Sequence, residues 1–242
     1  MKLIVLSDIH ANLSAIKAVI TDFTEKYAAD AIAILGDIVD YGPHPNQVIS
    51  TLESLDLPVV CNLFGNHEKA LFSDELARFS SDRGRQSLLY TKSVLSNHSF
   101  EYIGRMNHDA MLVTTIAGKD VLFVHGDLSD CYWGKFPLDE MKDDKYARYD
   151  YVFSGHTHTP RLEERYYKCD NPGMRDQHRT VFINPGSVGQ PRNQNANAQY
   201  VYLDFDSETI HFNAVGYDVA GEIASFPEEV DKFYAERLLY GI

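Results

Sequence analysis

The chain has 242 residues, of which 44% are hydrophobic, and its formal net charge is −13. This length and apolar content predict a globular protein, interpreted as one domain over residues 1–242. The acidic balance excludes a general binder of nucleic-acid backbones, since that function needs a basic surface. It does not exclude a phosphate-containing substrate, because bound divalent cations would dominate the local field of a cleft.

The N-terminus and the cysteines indicate a cytoplasmic protein without a membrane anchor. The opening residues, MKLIVLSDIH, contain an apolar run that is too short for a signal-peptide core or a membrane span. The three cysteines are odd in number and form no CxxC pair, which suits a reducing compartment. Cys61 lies in an apolar run and is predicted to be a small core residue.

The first sixty residues alternate between strand and helix patterns. A strand over 2–7 precedes a helix for which Asn12 is the predicted N-cap, and apolar residues recur there at the spacing of one buried face. The next predicted elements are a strand near 31–35, a helix from about Asn46 to Leu55, and a strand after Pro58. Such alternation predicts βαβ units with parallel strands, an α/β organisation.

The rest of the chain has a different pattern, and its second half is predicted to be α+β. Residues 69–107 indicate several short helices without a metal-type motif, interpreted as a cap-like segment beside the site. A β-hairpin is predicted around Gly118-Lys119-Asp120. Further predicted elements are strands near 151–154, 161–167, 179–183, 199–205 and 209–215, and an amphipathic C-terminal helix over about 227–239.

Five apolar runs of the chain end in Asp, Asn or His. They precede Asp8-Ile9-His10, Asp37, Asn66-His67, His125 and His156-Thr157-His158. Since chemistry collects beyond the carboxyl ends of strands in open α/β sheets, these residues are expected to converge on one edge. Asp8 and His10 would lie on one side of an extended segment. A mixed nitrogen and oxygen set favours Mn, Fe, Zn, Co or Ni over calcium or copper(I).

The order of these motifs resembles that of a known family. Asp-x-His, Gly-Asp-x-x-Asp, Gly-Asn-His-Glu, His-Gly and Gly-His-x-His follow one another as in the calcineurin-like metallophosphoesterase superfamily. The segment from Asn184 to Arg192 resembles a bacterial phosphodiesterase-like branch. The resemblance implies a four-layer αββα sandwich that binds two divalent transition metal ions, foremost Mn. It also implies hydrolysis of a phosphodiester or phosphomonoester in a small molecule or nucleotide.

The same resemblance implies roles for individual residues. The first metal would be held by Asp8, His10, Asp37 and His158, and the second by Asp37, Asn66, His125 and His156, with Asp37 bridging. A metal-bridging hydroxide would attack phosphorus, with His67 as the general acid and Asp40 as its partner. Arg192 is a candidate for binding a substrate phosphate, with an exposed loop arginine as the alternative interpretation.

Departures from the family pattern separate the possible functions. Ala11 stands where the family often has Gly, and Glu68 stands where phosphodiesterases commonly have Asp. Tyr41 and Phe64 occupy the places where protein Ser/Thr phosphatases have two phosphate-binding arginines. This difference disfavours a protein phosphatase, which is one alternative function. A dinucleoside-tetraphosphatase-like hydrolase stays open. A non-catalytic scaffold is disfavoured because every expected ligand is present. Residues 165–179 form a longer stretch than the family usually has, which predicts a hairpin insertion.

Overall fold

The computed structural model describes residues 1–73, 75–136 and 144–242, which form two five-stranded β-sheets and several helices. The strands are β1 (Lys2–Leu6), β2 (Ala31–Ile34), β3 (Val59–Asn62), β4 (Met111–Ile116), β5 (Lys119–Val124), β6 (Tyr151–Ser154), β7 (Arg161–Lys168), β8 (Gln177–Asn184), β9 (Ala198–Asp204) and β10 (Thr209–Val215). The α-helices are α1 (Leu13–Lys26), α2 (Pro45–Glu53), α3 (Asn66–Phe72), α4 (Asp82–Val94), α5 (Asn97–Gly104), α6 (Val219–Ala224) and α7 (Lys232–Glu236). Short 3-10 helices lie at Glu75–Arg78, Pro172–Met174 and Arg237–Leu239.

Both sheets are mixed. The first has the order β10-β9-β1-β2-β3, in which β1, β2 and β3 are parallel and β9 is antiparallel to β1. The second has the order β4-β5-β6-β8-β7, in which β5, β6 and β8 are parallel and the outer strands β4 and β7 are antiparallel. The parallel strands therefore occupy the interior of the second sheet and one side of the first.

The apolar sequence of the strands explains how the sheets are covered. In β1, Leu3 and Val5 pack against the second sheet, whereas Ile4 and Leu6 pack against helices. Burial on both faces explains why such strands are continuous apolar runs rather than alternating ones. The outer face of the second sheet is covered by residues that include Tyr146. Two sheets between outer layers confirm the predicted sandwich fold.

Most of the predicted elements are confirmed. Helix α1 begins after Asn12, whose side chain accepts a hydrogen bond from the backbone N–H of Ala15, as expected of an N-cap. The segment predicted as helical contains α4 and α5 and most of α3. The predicted insertion is a hairpin, since β7 pairs with β8 from Arg161↔Asn184 to Lys168↔Gln177. The turn between β4 and β5 lies one residue earlier than predicted, because β5 already begins at Lys119.

The prediction of one C-terminal helix over 227–239 is wrong. Helix α7 covers only five residues and continues into a 3-10 helix. Asp231 caps α7 by accepting the backbone N–H of Phe233, so the helix starts at Lys232, five residues later than Pro227. Helix α6, capped by Asp218, was not predicted. Short polar caps inside an amphipathic stretch divide it into separate pieces.

The cysteines are consistent with the sequence interpretation. All three lie in described residues and are free thiols. Cys61 is 2% exposed, and this burial raises the pKa of its thiol. Within the described ranges, no helix is long and apolar enough to cross a membrane.

Candidate metal centre

The seven predicted metal ligands lie together at the carboxyl ends of strands from both sheets. They follow β1 (Asp8 and His10), β2 (Asp37), β3 (Asn66, the first residue of α3), β5 (His125) and β6 (His156 and His158). Six of the seven are buried and His156 is half-buried. The carboxylate and imidazole atoms form two groups, each within 4.8 Å, that share Asp37. The two central sheets therefore contribute to one common cluster.

The backbone of these residues is not extended. Asp8 and His10 have φ angles of 54° and 48°, and Asp37 has a φ of 53°. Left-handed conformations are unfavourable for residues with a Cβ and persist only where the surrounding structure enforces them. The expectation that an extended segment would align Asp8 with His10 is therefore wrong, although the two side chains do meet.

In the first group, the lone pairs of the His10 and His158 imidazole rings point towards each other. Nδ1 of His10 lies 3.3 Å from the carbonyl oxygen of Val39, and Nδ1 of His158 lies 2.7 Å from that of Gln190. A carbonyl only accepts, so both Nδ1 atoms donate and both neutral rings carry their lone pair on Nε2. These Nε2 atoms are 3.2 Å apart. In the described chain, the buried Oδ1 of Asp8 has no hydrogen-bond partner and lies 3.2 Å from Nε2 of His158. A cation between these atoms would satisfy all three.

The second group has the same character. Nδ1 of His125 donates to the carbonyl oxygen of Leu35 at 2.7 Å, so its Nε2 is free to bind a metal. That Nε2 lies 3.1 Å from Oδ1 of Asn66 and 3.3 Å from Oδ2 of Asp37. Oδ1 of Asn66 is also 2.9 Å from Nδ1 of His156. Four atoms capable of binding a metal thus converge here.

The pKa shifts fit a site for a divalent cation. Burial and the neighbouring His158 hold the pKa of His10 well below its usual value, and burial and His125 lower that of His156 to about 3. Burial favours the neutral form of Asp37, but His125, His67 and His10 together outweigh it and hold the pKa of Asp37 well below normal. Burial also opposes the charged form of His125, yet Asp37 raises its pKa to about 9. The carboxylates thus attract positive charge to the cluster, while the imidazoles of His10 and His156 are kept neutral and can bind a cation through their lone pairs.

His67 and Asp40 form a buried pair beside the cluster. Nδ1 of His67 lies 2.6 Å from Oδ2 of Asp40, and Nε2 of His67 lies 3.9 Å from Oδ2 of Asp37. Helix α4 fixes the other oxygen of Asp40, which accepts from the hydroxyls of Ser87 at 2.6 Å and Thr91 at 3.2 Å. Burial alone would lower the pKa of His67, but Asp37 and Asp40 raise it. The imidazole is therefore oriented and favours its protonated form.

Glu68 holds the loops of the cluster together, a role that the sequence comparison with phosphodiesterases did not suggest. One oxygen accepts the backbone N–H groups of Asp37 and Gly65, each at 2.8 Å. The other accepts those of Ile38 at 2.8 Å and Val39 at 3.2 Å. Burial and Asp37 raise the pKa of Glu68 to about 7. A capping-box pattern, with Glu at the third position of α3, is the sequence signal that could have indicated it.

The close approach of two strand ends explains two glycines. A Cβ atom on Gly65 would lie 2.0 Å from Oδ1 of Asp37, and one on Gly36 would lie 2.5 Å from the backbone nitrogen of Gly65. Gly36 also has a φ of 99°. Only glycine allows these backbones to approach closely enough to join the two groups of ligands.

A cleft of about 410 Å³ opens above the cluster. The cleft is lined by residues that include Asp37, Asn66, His67, His156, His158 and Arg192. Arg192 is half-buried and its backbone N–H donates to the carbonyl oxygen of His158 at 3.1 Å. Its buried Nε has no hydrogen-bond partner among the described residues. The cleft also contains Phe79 and Trp133, which no motif had indicated.

Comparison with known proteins assigns this arrangement to a class. A family model for the calcineurin-like phosphoesterase superfamily domain matches residues 1–208. An uncharacterized protein of Methanocaldococcus jannaschii is 29% identical over 241 residues, covering 98% of this chain and 97% of that protein. A metallophosphoesterase structure from Sphaerobacter thermophilus has a TM-score of 0.73 and 26% identity, and each chain is covered to 100%. A hypothetical protein from Pyrococcus horikoshii has a TM-score of 0.78 and 20% identity, with 100% and 98% covered, and shares the fold.

The fold and the buried Asp and His residues together define a hydrolase with phosphoesterase activity. The chain belongs to the calcineurin-like phosphoesterase superfamily, as the motif order implied.

Proposed function

We propose that the protein is a binuclear phosphoesterase that hydrolyses a phosphodiester or phosphomonoester bond of a small molecule or nucleotide. The observation that carries this proposal is the pair of ligand groups that share Asp37. One carboxylate common to a group with Asp8 and two histidines and a group with Asn66 and two histidines suits two adjacent cations better than one.

The ligand assignment follows the two groups. Asp8, His10, Asp37 and His158 would hold one cation, and Asp37, Asn66, His125 and His156 would hold the other. When bound, two divalent cations would supply an activated water and offset the charge of the phosphate. Imidazole, carboxylate and amide ligands favour a transition metal, and we propose Mn.

His67 is proposed as the general acid. Its Nδ1 donates to Asp40, so Nε2 carries the proton that can pass to the leaving oxygen in the cleft. Asp40, held by α4, keeps the ring in this orientation and favours the protonated imidazole. Arg192 would bind a phosphate oxygen of the substrate, since it is the arginine that lines the cleft beside His158.

The residues at the positions of the two phosphate-binding arginines disfavour the alternative function, that of a protein Ser/Thr phosphatase. The ring of Tyr41 packs 4.6 Å from that of His10 and 4.3 Å from that of Tyr234. Phe64 is 1% exposed and stacks on His108 at 4.1 Å. Neither position offers a cation to a phosphate, so we do not favour a phosphoprotein substrate. A dinucleoside-tetraphosphatase-like activity is compatible with the same cleft.

The test is hydrolysis of phosphate mono- and diesters by protein stripped with a chelator and reloaded with Mn, Ni, Zn or Mg. We expect metal-dependent turnover with two metal equivalents bound. In His67→Ala, kcat should fall by about 10²–10⁴, the range for a lost general acid, with metal content unchanged. His98→Ala, at an exposed histidine paired with Glu53, is the matched control. Absence of hydrolysis with every metal would overturn the function, and an unchanged kcat in His67→Ala would overturn the acid role.

A further inference from the structure

Two aromatic rings form one side of the cleft, and we call Phe79 and Trp133 the aromatic wall. Phe79 meets the ring of His67 edge-on, with ring centroids 5.0 Å apart. Trp133 meets Phe79 at 5.4 Å and an interplanar angle of 89°, and lies 6.1 Å from the ring of His156. The wall therefore extends from the proposed general acid to a proposed metal ligand.

The tryptophan is held in place by its own loop. Oδ1 of Asp130 accepts the backbone N–H of Trp133 at 3.0 Å, and Oδ2 accepts from Arg78 at 2.6 Å. The guanidinium of Arg78 lies over the Trp133 ring, 5.1 Å from its centroid. A half-buried tryptophan fixed in this way is organised before any ligand binds.

We propose that the aromatic wall is the leaving-group subsite and selects esters whose leaving group carries a planar heteroaromatic ring, as a nucleoside does. The proposal rests on the proposed function, because the leaving oxygen must lie beside Nε2 of His67 to take its proton. Whatever is attached to that oxygen then meets the rings that flank His67 in the cleft. These are Tyr41 at 4.5 Å, whose ring already stacks on Tyr234, and Phe79 at 5.0 Å, with Trp133 beyond it.

The chemistry of the wall favours a heteroaromatic ring over an alkyl chain. The half-buried ring of Trp133 can bind the π-face of any base, while Phe79, which is 5% exposed, supports Trp133 edge-on. The guanidinium of Arg78 adds a second planar group. Nε1 of Trp133 is buried and has no acceptor within the described part of the chain. A base offers ring nitrogens or carbonyl oxygens to such a donor, whereas a hydrocarbon does not. The cleft volume of about 410 Å³ falls in the range of small-molecule sites.

The kinetic test compares two esters with the same ribose 5′-oxygen as leaving group. Adenosine 5′-monophosphate carries the base and ribose 5-phosphate lacks it, and the methyl diesters of both extend the comparison to diester hydrolysis. For the wild type we expect kcat/KM to be about 10- to 100-fold higher with the base present, from the usual strength of base–aromatic stacking. Trp133→Leu should remove most of this preference, so that kcat/KM falls much more for adenosine 5′-monophosphate than for ribose 5-phosphate, whereas Trp133→Phe should retain most of it.

A control variant and a second readout separate stacking from structural support. Tyr166→Leu changes an exposed aromatic residue of the β7–β8 hairpin and should alter neither ester. Because Trp133 is the only tryptophan of the chain, its fluorescence reports the wall directly. Adenosine 5′-monophosphate should quench this emission in metal-free protein, and ribose 5-phosphate should not.

The outcomes distinguish the two proposals. Equal kcat/KM for both esters in the wild type, or equal losses for both in Trp133→Leu, would overturn the leaving-group subsite while leaving the phosphoesterase function intact. Quenching by the nucleotide without hydrolysis of any ester would show that the wall binds a base, but it would overturn the proposed function and with it the leaving-group role. If the nucleotide did not quench the emission and the protein hydrolysed both esters equally, the two rings would only pack beside the cluster. This result would contradict the subsite.

Discussion

Replacement of Glu68 by Gln tests whether this side chain holds the two ligand loops together. The substitution keeps the size but converts one carboxylate oxygen into an NH2 donor. Whichever way the amide turns, one pair of backbone N–H groups, either those of Asp37 and Gly65 or those of Ile38 and Val39, then faces a donor.

The expected magnitude follows from those two lost hydrogen bonds. A buried donor left unpaired costs about 1–3 kcal/mol, so the pair should cost about 2–6 kcal/mol of unfolding free energy. In a protein of this size, each kcal/mol lowers Tm by about 2–4 °C, which predicts a fall of about 5–20 °C. Because Asp37 is displaced, metal affinity should also fall, by about 10- to 100-fold.

Thermal unfolding followed by circular dichroism at pH 8, with and without Mn, measures the first effect, and calorimetric titration with Mn measures the second. Glu229→Gln, at an exposed glutamate, is the matched control for loss of charge. If the Tm and the Mn affinity of Glu68→Gln equalled those of this control, the assignment of Glu68 as the link between the loops would be refuted.

Two further predictions concern the backbone contact and the buried thiol. Gly65→Ala places a methyl group against Oδ1 of Asp37, so we expect less than one equivalent of bound metal. Atomic emission measures the metal content, and two bound equivalents would contradict the steric argument. Burial raises the pKa of Cys61, so iodoacetamide at pH 8 should label half-buried Cys169 in the native protein long before Cys61, as measured by mass spectrometry. Equal labelling rates before denaturation would show that Cys61 is accessible.

The sequence predicted the candidate site well where the residue type alone indicates that a side chain can bind a metal. The convergence of the seven proposed ligands follows from apolar runs that end in Asp, Asn or His, because parallel strands leave their carboxyl ends at a common edge. It was uninformative where a role depends on distant partners. Ser87 and Thr91 contact Asp40 across more than forty residues, and nothing in a run of helical residues marks them as its hydrogen-bond donors.

Local sequence patterns also gave wrong predictions where the structure depends on backbone geometry. Asp8 and His10 meet through left-handed conformations, which an Asp-x-His spacing does not reveal. The amphipathic C-terminal stretch was interpreted as one helix, but Asp231 competes for the backbone N–H groups that a longer helix would need. Trp133 lies in a loop without periodicity, so its place in the cleft became visible only from the fold.

The position of β1 has a consequence for how the protein is made. β1 leaves the ribosome long before β9, yet β9 is one of its two neighbours and Asp204 of β9 pairs with Lys2. Until β9 has been synthesised, the strand that precedes Asp8 and His10 has an unpaired edge, which invites aggregation. Pairings of such long sequence separation form slowly. Metal binding by a nascent chain would therefore report that β9 has paired with β1.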